Sequence, residues 1–325
     1  MPRPLLALFA VLLALPAAGC GATSGPGDVD RATVMLDFAP NAVHAGLYMT
    51  LARDYDGSEG VRLRIRTPGA STDAVRLLET GRIDFAVLDI SDLALARQRG
   101  SDLVGVMALV QRPLAAVLAR PEVRRPRDLE GRRAGVTGLP SDVAVLSSIV
   151  RGDGGRPRAV RRTTIGFTAV AALVSGRVDA ATGFWNVEGL ALGDRLPGAR
   201  EFRVERFGAP AYPELVLTTT RQALDDDPRL ARGLVTALRR GYAEILNDPE
   251  SAVSEMTRRV RGSDRVALLE GLRAVQPAFT AGVPRYGVFD PRRLRAWARW
   301  ARRFGIVSRR VDVERAFAFD VANGA

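Results

Sequence analysis

A segment that occurs twice is the strongest constraint on how this chain of 325 residues can fold. Residues 77–86 and 172–181 each read as a helix end, a glycine cap, an arginine, and a strand that carries an aspartate. The first copy runs into a loop at 89–92 and the second into a loop at 183–188. Parallel sheets bind ligands at the carboxyl ends of their strands. The repeat therefore predicts two similar lobes that face one cleft, although two common strand-entry turns can also resemble each other by chance.

Short apolar runs alternate with longer helical periods from residue 31 onward, which predicts an α/β fold with mostly parallel strands. Predicted strands span 33–36, 61–66, 83–88 and 214–220, and predicted helices span 43–53, 71–80 and 141–152. In the last of these helices, Ser141 and Asp142 are expected to form the N-terminal cap. Three later helices are expected to begin at the Asp-Pro pairs 227–228, 248–249 and 290–291.

The order of these elements predicts a first lobe interrupted by an inserted second lobe. We assign residues 31–121 and 208–325 to the first lobe and residues 122–207 to the second. Crossing strands near Leu114–Leu118 and Val216–Thr220 are expected to act as a hinge between the lobes. The length after residue 20 is sufficient for two lobes that each have a core.

The N-terminus has the layout of an export signal. Arg3 precedes an apolar run that ends in small residues, and Cys20 follows them. This pattern is typical of a bacterial lipoprotein, with a signal at 1–19, a lipidated Cys20 and a flexible tether at 20–30. The alternative is an ordinary secretory signal with an accidental cysteine. Either interpretation predicts that the folded part lies outside the cytoplasm.

The net charge of +11 comes entirely from arginine, because the chain contains no lysine. We attribute this to codon bias, since arginine occurs in every segment. The densest cluster, within residues 292–303, shares a predicted helix with Leu294 and Trp297, so we interpret it as a solvated face opposite a buried one. No zinc-finger spacing, helix-turn-helix or aromatic-studded basic strand is recognisable, which argues against a nucleic-acid partner.

The stretch Asp-Phe-Ala-Pro-Asn-Ala-Val-His-Ala-Gly-Leu-Tyr at 37–48 resembles the opening motif of the NMT1/THI5-like family, and 128–131, 135–140 and 183–188 also resemble family segments. The resemblance implies a type II periplasmic-binding fold with its ligand cleft between two lobes. It further implies a monomeric substrate-binding lipoprotein of an ABC importer, which captures a pyrimidine precursor of thiamine or a similar flat heterocycle and delivers it to permease subunits in the membrane. The family motif often carries larger or more polar residues where this chain has Phe38, Ala39, Ala42 and Val43, so riboflavin or a flavin precursor is an alternative ligand.

The candidate ligand-binding residues follow from the chemistry of a flat, aminated ring. Phe38, Tyr48 and Trp185 can stack on it, and Glu188 can accept hydrogen bonds from an amine or a protonated ring nitrogen. Structural roles are the alternatives, because Tyr48 suits a core position and Phe38 can pack against the next helix. The full set of candidates is Asp37, Phe38, Asn41, His44, Tyr48, Ser91, Thr137, Trp185, Asn186, Glu188 and Tyr212.

An enzyme is the competing class of function. Yeast-type members of the family are synthases whose chemistry requires a lysine for pyridoxal phosphate and a cysteine cluster for iron, and this chain has neither. No nucleophile elbow, zinc-protease motif or phosphate loop is present. We therefore predict no catalytic residues, no cofactor and no metal, with His44 binding the ligand or shaping the first loop. A ligand sensor for a membrane kinase would have the same fold and remains a second alternative.

Overall fold

The computed structural model describes residues 30–69 and 74–324, and they form two five-stranded sheets. In spatial order, the first sheet contains β2 (Val61–Arg66), β1 (Asp30–Met35), β3 (Phe85–Asp89), β10 (Leu215–Thr220) and β4 (Leu103–Ala108). The second sheet contains β7 (Arg161–Thr164), β6 (Arg133–Val136), β8 (Ala180–Phe184), β5 (Ala115–Ala119) and β9 (Arg200–Arg203). The predicted α/β architecture with two lobes is confirmed.

Helices cover the sheets and form most of the chain after β10. They are α1 (Ala45–Ala52), α2 (Tyr55–Ser58), α3 (Ala74–Glu79), α4 (Ile90–Gln98), α5 (Pro140–Gly152), α6 (Ala169–Val174), α7 (Leu190–Arg195), α8 (Arg221–Asp226), α9 (Pro228–Asn247), α10 (Pro249–Arg259), α11 (Arg265–Phe279), α12 (Pro291–Phe304), α13 (Val313–Ala316) and α14 (Phe319–Asn323). A 3₁₀ turn at Ala42–His44 precedes α1, another lies at Val204–Phe207, and a π-helical turn lies at Trp185–Gly189.

The two sheets have the same arrangement of strand directions. β1 pairs in parallel with β2 and β3, and β6 pairs in parallel with β7 and β8. One antiparallel strand completes each sheet: β10 lies between β3 and β4, and β5 lies between β8 and β9. Each sheet is therefore mixed, and each antiparallel strand follows directly on a connection from the other lobe.

The lobe boundary differs from the one that the sequence predicts. The boundary at 121/122 assigns β5 to the first lobe, whereas β5 pairs with β8 and β9 in the second sheet. The predicted hinge strands also lie inside their own sheets, and the chain crosses between the lobes in residues 109–114 and 204–214. The reason is that residues 111–113 separate two apolar strands, but nothing in the local sequence shows that the second strand, β5, pairs in the other sheet.

The repeated segment has the same structural role in both lobes. It forms the end of α3 with β3 in the first copy, and the end of α6 with β8 in the second. Asp84 accepts a hydrogen bond from the Thr33 amide at 2.7 Å, and Asp179 accepts one from the Arg133 amide at 2.8 Å. Each aspartate thus joins its own strand to the neighbouring parallel strand, which accounts for its position in both copies.

The predicted starts of the late helices are confirmed. Asp227, Asp248 and Asp290 each cap the helix that begins with the following proline, namely α9, α10 and α12. Leu294 and Trp297 of α12 are fully buried, while most of its arginines are exposed, as expected for a solvated face. At α5 the prediction is wrong, because Ser141 and Asp142 lie within the first turn and the preceding Leu139 makes no side-chain cap.

Some predictions concern residues for which the structure gives no description. The signal at 1–19, the lipidated Cys20 and most of the tether lie outside the described residues, as does the predicted helix start at Ser71. Among the residues that are described, no helix is both long and apolar enough to cross a membrane.

Candidate functional site

A cavity of about 450 Å³ lies between the lobes, where strand ends from both sheets meet. Asp37 and Phe38 follow β1, and Asp89 ends β3 in the first lobe. Thr137 follows β6, and Glu188 lies in the π-helical turn after β8. Both loops of the repeated segment therefore face one cleft, as the sequence predicts, and the position agrees with the general rule for ligands of parallel sheets.

The aromatic surface of the cavity consists of phenylalanines. Phe38 of the first lobe and Phe167 of the second meet edge to face, with ring centroids 4.8 Å apart, and Phe184 also lines the cavity. Sequence reasoning missed Phe167, which lies in a loop shortly after β7. The available signal was an aromatic residue directly after a glycine, following the short β-branched run at 163–165, which the sequence analysis did not identify as a strand end.

The described residues that line the cavity are strongly unbalanced in charge. Five are acidic, and only two are arginines, Arg66 and Arg99. The acidic residues are Asp37, Asp89, Asp92, Asp142 and Glu188. This is the reverse of the whole chain, whose net charge is +11. A cavity of this composition favours ligands that donate hydrogen bonds or carry positive charge.

Glu188 is the acidic group with the clearest titration behaviour. Its carboxylate accepts a hydrogen bond from the Phe184 amide at 3.0 Å. Burial raises the pKa of Glu188 to about 7, and the nearby carboxylates of Asp142 and Asp37 act in the same direction. Near neutral pH this side chain can thus either accept or donate a hydrogen bond.

Asp37 is held in place by the only histidine of the chain. The Nδ1 atom of His44 accepts a hydrogen bond from the Asn41 amide at 3.2 Å, so Nε2 carries the proton and donates to Asp37 Oδ1 at 2.8 Å. His44 is fully buried, and the Asn41 side chain accepts from the Val43 amide at 3.0 Å. Neither His44 nor Asn41 lines the cavity. Both instead fix the 3₁₀ turn that orients Asp37.

A second acidic residue lies behind Asp89. Glu214 is fully buried and accepts hydrogen bonds from the amides of Leu114 and Ala115, so it joins the two interlobe connections. Asp89 accepts a hydrogen bond from the Ser91 amide at 2.6 Å. Burial and the neighbouring Glu214 raise the pKa of Asp89 well above its usual range, and burial also raises the pKa of Glu214. Burial and the neighbouring carboxyl group therefore both disfavour the ionised form of Asp89 in the folded protein.

Asp142 and Thr137 complete the second-lobe side of the cavity. The Asp142 carboxylate accepts a hydrogen bond from the Thr137 amide at 2.6 Å and another from the Thr137 hydroxyl. Burial raises the pKa of Asp142. These contacts fix the loop after β6 against the first turn of α5.

Four of the eleven candidate residues line the cavity, namely Asp37, Phe38, Thr137 and Glu188. The other seven do not, and they are Asn41, His44, Tyr48, Ser91, Trp185, Asn186 and Tyr212. Tyr48 is buried in α1, and Tyr212 is stacked on Trp300 with ring centroids 5.8 Å apart. The assignment of ligand contacts to particular side chains stays a prediction.

Trp185 and Asn186 lie at the junction of the lobes instead of in the cavity. The indole Nε1 of Trp185 donates to the Pro113 carbonyl at 3.0 Å, and the Arg203 guanidinium lies 4.1 Å from the ring centroid. Asn186 is buried, and neither polar atom of its side chain has a hydrogen-bond partner among the described residues. Across the described ranges 30–69 and 74–324, no group of three or more histidine, cysteine, aspartate or glutamate side chains could hold a metal ion.

The sequence of this chain is similar to a known protein family and to several characterised proteins. The family model described as NMT1/THI5 like matches residues 41–252. The formylaminopyrimidine-binding protein of Halalkalibacterium halodurans is 30% identical over 253 residues, which cover 77% of this chain and 77% of that protein. The riboflavin-binding protein RibY of Chloroflexus aurantiacus is 27% identical, with 95% of this chain and 92% of that protein covered. A 4-amino-5-hydroxymethyl-2-methylpyrimidine phosphate synthase of Saccharomyces cerevisiae is 20% identical over 70% of each chain.

Solved structures share the architecture. The alkanesulfonate-binding protein SsuA of Xanthomonas axonopodis pv. citri superposes with a TM-score of 0.69 at 17% identity, covering 89% of this chain and 98% of that one. The periplasmic nitrate-binding protein NrtA of Synechocystis gives a TM-score of 0.68 at 11% identity, covering 90% and 87%. At these identities the likeness shows the fold alone, and the predicted periplasmic-binding fold is confirmed.

Proposed function

Because the chain belongs to the NMT1/THI5 like family, we propose that it is the solute-binding component of an ABC importer and that it captures an aminated pyrimidine related to thiamine precursors. The protein acts outside the cytoplasm as a monomer, is anchored through a lipidated Cys20, and delivers its ligand to permease subunits. The family relationship and the two-lobed fold support the binding role, and the formylaminopyrimidine-binding relative supports the class of ligand.

The acidic cavity flanked by phenylalanines is the observation that carries this proposal. A flat ring can pack against the phenylalanines that line the cavity, such as Phe38 and Phe167, which contact each other edge to face, and each aromatic pair contributes about 0.5–1.5 kcal/mol beyond burial. Exocyclic amines and ring N–H groups find acceptors in Asp37 and Glu188. Each charge-assisted hydrogen bond of this kind contributes about 1.5–3 kcal/mol.

The charge of the cavity also argues against anionic ligands. Proteins with this fold include binders of alkanesulfonate and nitrate, as their names state. Only two arginines line the cavity of this chain against five carboxyl groups, so an anion would find few positive partners there and would be repelled by each carboxyl group that is ionised. The ligand class is therefore inferred from the side chains of the cleft and not from the fold.

Riboflavin or a related flavin is the second candidate ligand. The riboflavin-binding relative aligns with 95% of this chain, and a cavity of about 450 Å³ leaves room beside a single six-membered ring. The synthase activity named for the yeast relative is not favoured here, because this chain has no lysine to hold pyridoxal phosphate. A sensor role would use the same cavity and differs only in the membrane partner.

A thermal-shift screen of the purified protein tests the proposal. The probes are a formylaminopyrimidine, 4-amino-5-hydroxymethyl-2-methylpyrimidine, thiamine, riboflavin and an alkanesulfonate. A ligand that binds only the folded state raises the melting temperature by mass action. We expect a pyrimidine to raise it and the alkanesulfonate to leave it unchanged. An alkanesulfonate shift, or no shift with any flat heterocycle, would refute the proposed ligand class.

Variants then locate the binding site. Asp37→Asn and Glu188→Gln remove one carboxylate each from the two sides of the cavity, and we expect each to reduce the pyrimidine shift strongly. Glu122→Gln is the matched control, because Glu122 lies on the surface of the second lobe with 57% of its side chain exposed. A reduced shift in the control, or a full shift in both cavity variants, would mean that the ligand binds elsewhere.

A further inference from the structure

Helix α5 of the second lobe is capped by a residue of the first lobe. Its own N-cap position is Leu139, which makes no side-chain hydrogen bond to the helix. Instead, Asp92 of α4 accepts hydrogen bonds from the Ser141 amide at 3.2 Å and from the Ser141 hydroxyl at 3.0 Å. These two bonds are called the interlobe cap below.

The interlobe cap is buried and borders the cavity. Asp92 is 6% exposed and Ser141 is 4% exposed, and both residues line the cavity between the lobes. Because α4 and α5 belong to different lobes, the cap exists only when the lobes are together. The edge-to-face contact of Phe38 with Phe167 is a second link across the same cleft.

From this geometry we propose that Asp92 is a positioning residue that holds the two lobes closed by capping α5 across the cleft. The carboxylate supplies an acceptor to a buried amide in the first turn of a helix, at its positive end, where negative charge is favoured. When the lobes separate, the first turn of α5 loses its only observed side-chain acceptor for the Ser141 amide.

The surroundings of Asp92 keep this closure reversible. Asp89 of β3 and Asp142 of α5 face it with like charge, and burial raises the pKa of Asp92 well above its usual range. Arg66 and Arg99 line the same cavity. The cost of burying the carboxylate partly offsets the two hydrogen bonds, as is general for buried charged groups. A receptor that must reopen to release its ligand requires a balance of this kind.

Hydrogen exchange of the ligand-free full-length chain tests the interlobe cap without reference to any ligand. In Asp92→Ala we expect the amides at 141–144 to exchange at least about tenfold faster, equivalent to about 1.4 kcal/mol. Asp92→Asn keeps one acceptor oxygen and should give an intermediate rate. Ser141→Ala removes only the hydroxyl bond and should give a smaller increase.

Ser148→Ala is the matched control, since Ser148 is a buried serine of α5 whose hydroxyl donates to Val145 within the same helix. Exchange at 141–144 should remain as in the unmodified chain. Equal exchange in the unmodified chain and in Asp92→Ala would overturn the proposal. If Asp92→Ala does not fold, the comparison of Asp92→Asn with Ser148→Ala decides the same question.

Ligand kinetics give a second test that rests on the proposed function. With a pyrimidine that binds the unmodified chain, Asp92→Ala should raise the dissociation rate at least about tenfold and leave the association rate within about twofold. A slower association with an unchanged dissociation rate would overturn the positioning role. If no pyrimidine binds, the proposed function fails, while the exchange experiment still decides whether the interlobe cap exists.

Discussion

The two lobes share a framework and differ in the residues that they bring to the cavity. Their sheets have the same strand order, and Asp84 and Asp179 make the same bond to a neighbouring strand. The first lobe, however, presents an aspartate that a buried histidine orients, whereas the second presents Glu188, whose pKa is raised to about 7. The framework repeats because it depends on short local patterns, while the recognition residues diverge because the loops after the strands are free to change.

The largest expected difference between the lobes concerns the pH dependence of stability. Glu188 has its pKa raised from 4.5 to about 7 in the folded protein, so unfolding releases its proton between these pH values. The stability of the unmodified chain should therefore fall as pH rises through this window and level off above pH ~7. Relative to the unmodified chain, Glu188→Gln should gain about 2–3 kcal/mol of stability between pH ~4.5 and ~7.5.

Urea unfolding at several pH values measures this effect. Glu122→Gln serves again as the control, because its exposed carboxylate should leave the pH profile unchanged. If the free energy of unfolding depends on pH in the same way for Glu188→Gln and the unmodified chain, the pKa of Glu188 is not raised by folding. The proposed electrostatic difference between the lobes would then be wrong.

The second prediction concerns the shared framework. Asp84→Ala and Asp179→Ala each leave one strand amide without its acceptor, which should cost about 1–2 kcal/mol of unfolding free energy in either lobe. Denaturant titration measures the cost, with Asp194→Ala as an exposed control in the second lobe. Strongly unequal costs would show that the two copies of the repeat are not equivalent.

The third prediction isolates the role of His44 in orienting Asp37. His44→Leu removes the donor at 2.8 Å and should weaken pyrimidine binding by about 0.5–1.5 kcal/mol. His44→Gln retains a donor at nearly the same position and should bind more tightly than His44→Leu. Calorimetry measures both, and equal affinities would mean that Asp37 needs no such support.

The smallest expected effect on binding concerns Trp185. The sequence predicts a stacking role, but the indole bonds to Pro113 at the junction of the lobes and does not line the cavity. Trp185→Phe should cost about 1 kcal/mol of stability and change ligand affinity by less than about twofold. A large loss of affinity at unchanged stability would restore the stacking role.

Local patterns were sufficient to predict the framework. The glycine-arginine-aspartate repeat, the strand at 61–66 and the Asp-Pro helix starts all depend on residues close together in the chain. The cavity residues Asp37, Phe38 and Glu188 could also be identified from the sequence, because they follow predicted strand ends. The lobe boundary could not be placed from the sequence, because Gln111, Arg112 and Pro113 mark the break between the two strands but do not show which sheet β5 joins.

The rest of the site depends on contacts between distant segments. Glu214 meets Asp89 only through the pairing of β10 with β3, and Asp92 meets Ser141 only when the lobes come together. Phe167 reaches Phe38 across the cleft. No pattern within one segment encodes such partners, and a tryptophan in a loop looks the same whether it faces a ligand or the opposite lobe.

The last strand of the first sheet, β10, comes after every strand of the second sheet in the chain, and this order has a consequence for biosynthesis. A nascent chain that ends near residue 210 already contains all five strands of the second sheet, but it lacks β10. Until β10 emerges, β3 has an unpaired edge and β4 has no strand to bind. The first sheet therefore cannot be completed until β10 has been synthesised, although most of its other strands come first in the chain. Truncations between residues 204 and 220 should yield a chain that aggregates or is degraded.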